Sequence, residues 1–125
     1  MRFARLVFRV AGVYGLLLLP PQYFLEGKLG RDFPPPVTHP EFYYSFLGVA
    51  VVWQLLFLVL SGDPVRYRPM MVVAALEKFS FVVAVFVLYA QGRVPTLVLV
   101  FSLVDLLFGV LFLVAYRKTP ARPER

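Results

Sequence analysis

Apolar residues along this chain fall into four long blocks separated by short polar stretches. The first runs from Leu6 to Leu19, and reaches Leu25 if a helix passes through Pro20-Pro21. The others run from Phe42 to Leu60, from Pro69 to Ala90 and from Val94 to Tyr116. A helix that crosses a bilayer needs about 20 predominantly apolar residues. Blocks two to four meet that length. Block one meets it only if Pro20-Pro21 kinks the helix without ending it. A signal peptide is the competing reading of block one, with Arg2, Arg5 and Arg9 as its basic region and Val10 to Leu19 as its apolar core. No small-x-small cleavage site follows, because Pro20-Pro21-Gln22-Tyr23 stands there instead, so a retained helix is expected. The pattern predicts an all-α fold in a single domain: a four-helix transmembrane bundle of up-down topology, with spans at about 6–25, 42–60, 69–90 and 94–116.

Charge in the connecting segments predicts the direction of the spans. Arg2, Arg5 and Arg9 precede the first block, Arg66 and Arg68 lie between the second and third, and Arg117, Lys118, Arg122 and Arg125 follow the fourth. The opposite side carries only Lys28, Arg31 and Arg93. Basic residues favour the cytoplasmic side, which places both termini and the Asp63–Arg68 loop there. The tyrosines agree: Tyr23, Tyr43, Tyr44, Tyr67, Tyr89 and Tyr116 fall near span ends, where amphipathic rings prefer to sit, and only Tyr14 is internal.

The connections have their own signals. The longest runs from Glu26 to Glu41, and Pro34-Pro35-Pro36 should hold it extended, in polyproline II geometry. Ser61-Gly62-Asp63-Pro64 reads as a turn, and Pro69 suits a first helical turn, where a missing N–H costs nothing. His39, in Thr38-His39-Pro40-Glu41, reads as a solvated loop residue with a capping role. The tail Thr119–Arg125 is short, polar and Pro-containing, which predicts disorder. No internal repeat supports an inverted-repeat transporter design.

Composition sharpens the class. Of 125 residues 60% are hydrophobic, above the roughly 45–50% of soluble domains. The net charge of +6 would suggest nucleic acid in a soluble protein. Here the basic residues flank the apolar blocks, so Arg66, Arg68, Arg117 and Lys118 are expected to contact anionic lipid headgroups. The expected partners are membrane lipids, with a membrane-protein partner or a second copy of the chain as further candidates, and no nucleic acid. With no cysteine, disulfides, thiol catalysis and thiolate metal sites are excluded. One histidine excludes a His-rich metal centre. No glycine-rich phosphate loop, zincin His pair or Ser-His-Asp set is present, so neither a cofactor nor a catalytic residue is assigned.

Candidate chemistry lies inside the blocks. Glu77 and Lys78 are adjacent within the third. Each charge at bilayer depth costs roughly 2.5–3.5 kcal/mol on insertion scales and persists where something inside the protein answers it. Ala74, Glu77, Ser80, Phe81 and Ala84 share a helical face by 3/4 spacing, while Lys78 sits about 100° round the helix. On that spacing Glu77 and Lys78 are expected to find different partners. Ser102, Asp105 and Gly109 share a face of the fourth helix, and Gln54 is the lone strongly polar residue between Val51 and Leu60. At 1.5 Å per residue, Glu77 and Lys78 lie about 12 Å from the cytoplasmic end of their helix, Asp105 about 16 Å, and Gln54 and Arg9 about 9 Å. All five are therefore expected to meet in the inner half of the membrane. Lys78 would pair with Asp105, and Arg9 or Gln54 would answer Glu77, with the formal charges cancelling. The plainer readings are a register-fixing ion pair for Glu77, Lys78 and Asp105, an interhelical hydrogen bond for Gln54 and a snorkelling side chain for Arg9. Ala11-x-x-x-Gly15 adds a small-xxx-small pattern that predicts close helix contact.

The stretch His39-Pro-Glu-Phe-Tyr-Tyr, Trp53-Gln54, the loop Asp63-Pro64-Val65-Arg66-Tyr67-Arg68-Pro69 and Glu77-Lys78 together resemble a family of small four-span bacterial inner-membrane proteins, over nearly the whole chain. More loosely, the layout is similar to DoxX-like four-helix membrane proteins. That resemblance implies a compact up-down bundle and an accessory role in redox or respiratory membrane complexes, and it carries over no catalytic residue. Three functional classes stay open. The first is a non-enzymatic binding or accessory protein whose polar cluster holds a lipid, an amphipathic ligand or a membrane partner. The second is a proton-linked transporter acting as an oligomer. The third is an intramembrane acid–base enzyme using Glu77 and Asp105.

Overall fold

The computed structural model describes residues 2–34 and 36–121. Five α-helices follow in chain order: α1 (Arg2–Leu18), α2 (Glu26–Asp32), α3 (Pro40–Gly62), α4 (Arg68–Ala90) and α5 (Thr96–Lys118), with no strand among the described residues. Four helical segments are long and apolar enough to cross a membrane: Arg2–Phe24, Pro40–Gly62, Arg68–Ala90 and Thr96–Lys118.

Pro20-Pro21 decides how the first segment ends. The α-helix stops at Leu18, and a 3-10 turn over Pro20–Phe24 continues it. Proline has no N–H to extend the i→i−4 ladder. The ladder ends with Leu19 N–H on Gly15 O, and Gln22 N–H then bonds Leu19 O by the tighter spacing. The long connection is not wholly extended, contrary to the expectation from its prolines. Glu26–Asp32 forms the short helix α2, with Glu26 in its first turn, Arg31 in its last and a Lys28–Asp32 ion pair at 2.9 Å. Those charges complement the helix dipole and its i,i+4 geometry, which propensity of the downstream prolines does not oppose. Pro35, central to the expected polyproline stretch, lies outside the described residues.

Two tyrosines tie this connection to α3. Tyr43 Oη donates to Gln22 O at 2.6 Å, and Tyr44 Oη donates to Glu26 at 3.1 Å. His39 caps α3 with its backbone carbonyl, which accepts from Phe42 and Tyr43 N–H, and its ring makes no capping bond. Past α3, Asp63 Oδ1 accepts Arg66 N–H, and Pro69 sits in the first turn of α4 as expected. Gly92 ends α4: at φ +70° it lets Arg93 N–H reach back to Leu88 O, a conformation L side chains rarely adopt.

Packing is uneven around the bundle. α1 lies against α3 and α5, and α4 runs along α5, whereas α3 and α4 touch only sparingly. α1 is amphipathic: Ala4, Val7, Phe8, Ala11, Gly12 and Gly15 form its buried stripe, and Arg2, Arg5 and Arg9 are exposed. At the centre Phe8 of α1 stacks on Phe112 of α5, with centroids 4.2 Å apart, and Phe57 of α3 meets Phe112 edge-on at 5.0 Å. α4 adds Met71 together with Ala74 and Ala75, and the small volumes of the two alanines let it approach closely. Outward, large apolar side chains such as Leu17, Val52, Val83 and Leu107 are exposed. An apolar exterior of this extent suits acyl chains rather than water, and is compatible with a multi-pass membrane protein.

The start of α1, the start of α4 and the end of α5 meet at one end of the bundle. Lys118 Nζ stands 4.5 Å over the Phe3 ring, and Arg68 Nε donates to Tyr116 O and Thr119 O. Thr119, expected to be disordered, is instead buried, because the Arg68 guanidinium holds its carbonyl and its own N–H bonds Ala115 O. Residues 122–125 of the expected disordered tail lie outside the described residues.

Candidate functional site

The site is built on α4, where two adjacent residues point different ways. Lys78 faces inward and is 4% exposed. Its Nζ lies 3.4 Å from Asp105 Oδ1 of α5 and 4.0 Å from Glu77 Oε2. Two aromatic faces complete its surroundings, Phe57 at 5.2 Å and Phe108 at 5.9 Å from the ammonium. A ring face attracts a cation, so Lys78 is held by two carboxylates and two quadrupoles. α4 supplies Lys78 one turn beyond Ala74, whose lack of bulk leaves room for the long side chain between α3 and α5.

Glu77 lies the other way. It lines an apolar groove of about 600 Å³ between α3 and α4, together with Ser80, Phe81 and Ala84 of α4 and Phe46, Ala50 and Trp53 of α3. Four of the five α4 residues expected to share a face thus meet in one groove, and Ala74 is instead buried in the core. The groove exists because α3 and α4 pack sparingly; Phe46 and Phe81 bridge it, with centroids 5.9 Å apart. Ser80 Oγ turns back to Glu77 O at 2.8 Å, the usual local alternative for a hydroxyl in an apolar helix. Glu77 Oε2 is buried without a hydrogen-bond partner.

Of the five residues expected to cluster, three come together: Glu77, Lys78 and Asp105. The expectation that Glu77 and Lys78 would keep wholly separate partners needs correction, since a four-carbon stem reaches across the 100° between them. The expectation that Arg9 or Gln54 would answer Glu77 also fails. Arg9 is exposed on the face of α1 opposite its buried stripe, where a long side chain reaches the headgroup level at low cost. Gln54 is buried against α1 at Gly15, its Nε2 donates to Ala50 O of its own helix at 2.8 Å, and its Oε1 has no partner. The α1 backbone there is already satisfied by its own ladder, so the expected interhelical bond has no donor to use.

The basic residues at the chain-end side also divide. Arg66, Arg117 and Lys118 are exposed. Arg68, expected among the headgroup contacts, is turned inward: besides its two bonds to α5 carbonyls, its guanidinium stacks 3.8 Å over Tyr116. Positive charge near a helix C-terminus is favourable, and the last carbonyls of a helix have no intrahelical partner.

Sequence reasoning missed the aromatic residues that make the site. Nothing in the sequence sets Phe57 and Phe108 around Lys78, or Phe46 and Trp53 in the groove, apart from the chain's other aromatic residues. Spacing alone carried a signal, because Phe46, Ala50 and Trp53 recur at helical intervals on one face of α3. Which partner that face meets depends on the tertiary arrangement.

The fold and site define an all-helical bundle with four helices long enough and apolar enough to cross a membrane, carrying one carboxylate into an apolar groove. No family model matches the chain, and no curated protein or solved structure matches it.

Proposed function

We propose that the chain is an integral protein of a bacterial inner membrane, with both termini cytoplasmic, and that it is a non-enzymatic binding protein. On this reading it admits an amphipathic ligand sideways from the bilayer between α3 and α4. The observation that carries it is Glu77, the one charged residue on the wall of a mostly apolar groove. Small-molecule sites combine an apolar lining with few polar groups that orient the ligand, and volumes of about 300–1,000 Å³ are usual. Acid–base chemistry would need both carboxylates to face one reacting molecule. Asp105 stands outside the groove lining, on the far side of Lys78, which favours binding.

Native mass spectrometry of protein extracted in mild detergent tests the reading. A bound species in the mass range of an amphiphile is expected on the wild type. Ala84→Phe, at an exposed position on the groove wall, should remove it while circular dichroism stays unchanged. Wild-type protein free of any such adduct, or an adduct retained in Ala84→Phe, would overturn the proposal.

A further inference from the structure

The charges around Lys78 do not balance. Two carboxylates, Glu77 and Asp105, face one ammonium, which leaves a formal charge of −1 (two negative, one positive). Among the described residues no other Lys or Arg comes within 4.0 Å of either carboxylate. Lys78 is committed to the Asp105 side, at 3.4 Å against 4.0 Å for Glu77. The surplus negative charge therefore falls to Glu77, which lines the groove and whose Oε2, turned toward Lys78, makes no hydrogen bond to it.

We infer that the groove selects a lipophilic monocation: an ammonium head, protonated or quaternary, on an apolar chain or ring system. The inference rests on the binding reading above and names the ligand's class. One positive charge against Glu77 brings the cluster to neutrality, the condition an apolar interior imposes on buried charge. The groove wall adds Trp53, Phe46 and Phe81, whose ring faces attract organic cations. A zwitterionic phospholipid fits less well. Its phosphate would meet no Lys or Arg on the groove wall. An anionic amphiphile would add to the surplus that Glu77 already carries.

Trp53 is the chain's single tryptophan and lines the groove, so its emission reports occupancy directly. The experiment titrates the protein in phosphatidylcholine vesicles with dodecyltrimethylammonium, dodecanol and dodecyl sulfate, each compared at equal concentration in the membrane. The expected result is a saturable change in Trp53 emission with the ammonium, at about tenfold lower concentration than with the alcohol and with no saturable change for the sulfate. Glu77→Gln should abolish the tenfold preference and keep the alcohol response. Ala84→Lys, which places an ammonium of its own on the same exposed wall two turns from Glu77, should abolish it independently if Glu77→Gln folds poorly. Equal half-saturation for cation and alcohol, or a preference that survives both variants, overturns the monocation inference while leaving an amphiphile-binding groove. No saturable response to any probe overturns the inference and the binding reading together.

Discussion

Lys78 and Asp105 meet across the α4–α5 boundary with Nζ 3.4 Å from Oδ1, and Glu77 approaches the same ammonium to 4.0 Å. The ammonium is the only positive charge in the trio, so the two sides of the pair are not equivalent. Lys78→Met leaves two carboxylates in an apolar interior, the situation that costs on the order of 3–5 kcal/mol when a buried pair is broken. Asp105→Asn leaves Glu77 to balance Lys78 and removes one charged hydrogen bond, worth about 1.5 kcal/mol. Unfolding of the two variants in mixed micelles should rank them in that order. The double variant should be less destabilised than the sum of the singles, because removing Lys78 already removes what Asp105 contacts. Strict additivity would show that the pair does not interact.

Gly15 lets α1 come against Gln54. A Cβ on Gly15 would overlap the Gln54 side chain, and one on Gly12 would stand 2.7 Å from Leu58 Cδ2 and 3.0 Å from Gln54 O. Gly15→Ala and Gly12→Ala should each destabilise the bundle by about 1–3 kcal/mol, the usual cost of overpacking. Shortening the obstructing side chain gives a sharper check: Gly15→Ala with Gln54→Ala should recover part of the loss, whereas Gly12→Ala should gain nothing from Gln54→Ala, since the Leu58 side chain and the Gln54 backbone oxygen obstruct it. Thermal melting in detergent reads both. Equal behaviour of the two glycines in the Gln54→Ala background would contradict the packing described.

Arg68 fastens the last turn of α5 to the start of α4 through Tyr116 O and Thr119 O. Arg68→Ala should release that turn without unfolding the bundle. Hydrogen exchange at Thr119 N–H, which bonds Ala115 O, should quicken about tenfold, corresponding to ~1.4 kcal/mol. Arg68→Lys should recover little, because a point charge cannot serve two carbonyls while stacking flat on Tyr116. Unchanged exchange in Arg68→Ala would mean that the guanidinium does not hold the helix end.

At the other end, Tyr43 Oη holds Gln22 O at 2.6 Å. Tyr43→Phe should loosen the connection between the first segment and α3 by about 1 kcal/mol, the net worth of one hydrogen bond. Tryptic cleavage at Lys28 and Arg31, both exposed in α2, is expected to speed up, with Arg66 serving as the internal control at the opposite end. An equal acceleration at Arg66 would point to general destabilisation instead.

The four long helices were legible because their signal is local. Each block is apolar over enough residues to span a bilayer, and its flanking prolines, glycines and charges mark the ends to within a few residues. The pairing of Lys78 with Asp105 was also within reach, since both lie inside blocks of known rise and carry opposite charge. The short helix α2 was obscured by the proline run after it, although its own charges support it. The destinations of Arg9 and Gln54 were not legible, because depth along a helix says nothing of rotation about it. Arg9, expected at the level of the cluster, is exposed on the outer face of α1.

What the amino-acid order settled by itself is the number of long apolar helices and the presence of charge inside them: hydropathy and helical rise act residue by residue. What tertiary structure decided is which faces meet. α1 took the position between α3 and α5 because Ala11, Gly12 and Gly15 permit close approach, and that left α3 and α4 only loosely apposed. The groove with Glu77 in its wall follows from that choice of neighbours. Contact between helices depends on the summed fit of whole surfaces, and no single stretch of sequence contains that sum.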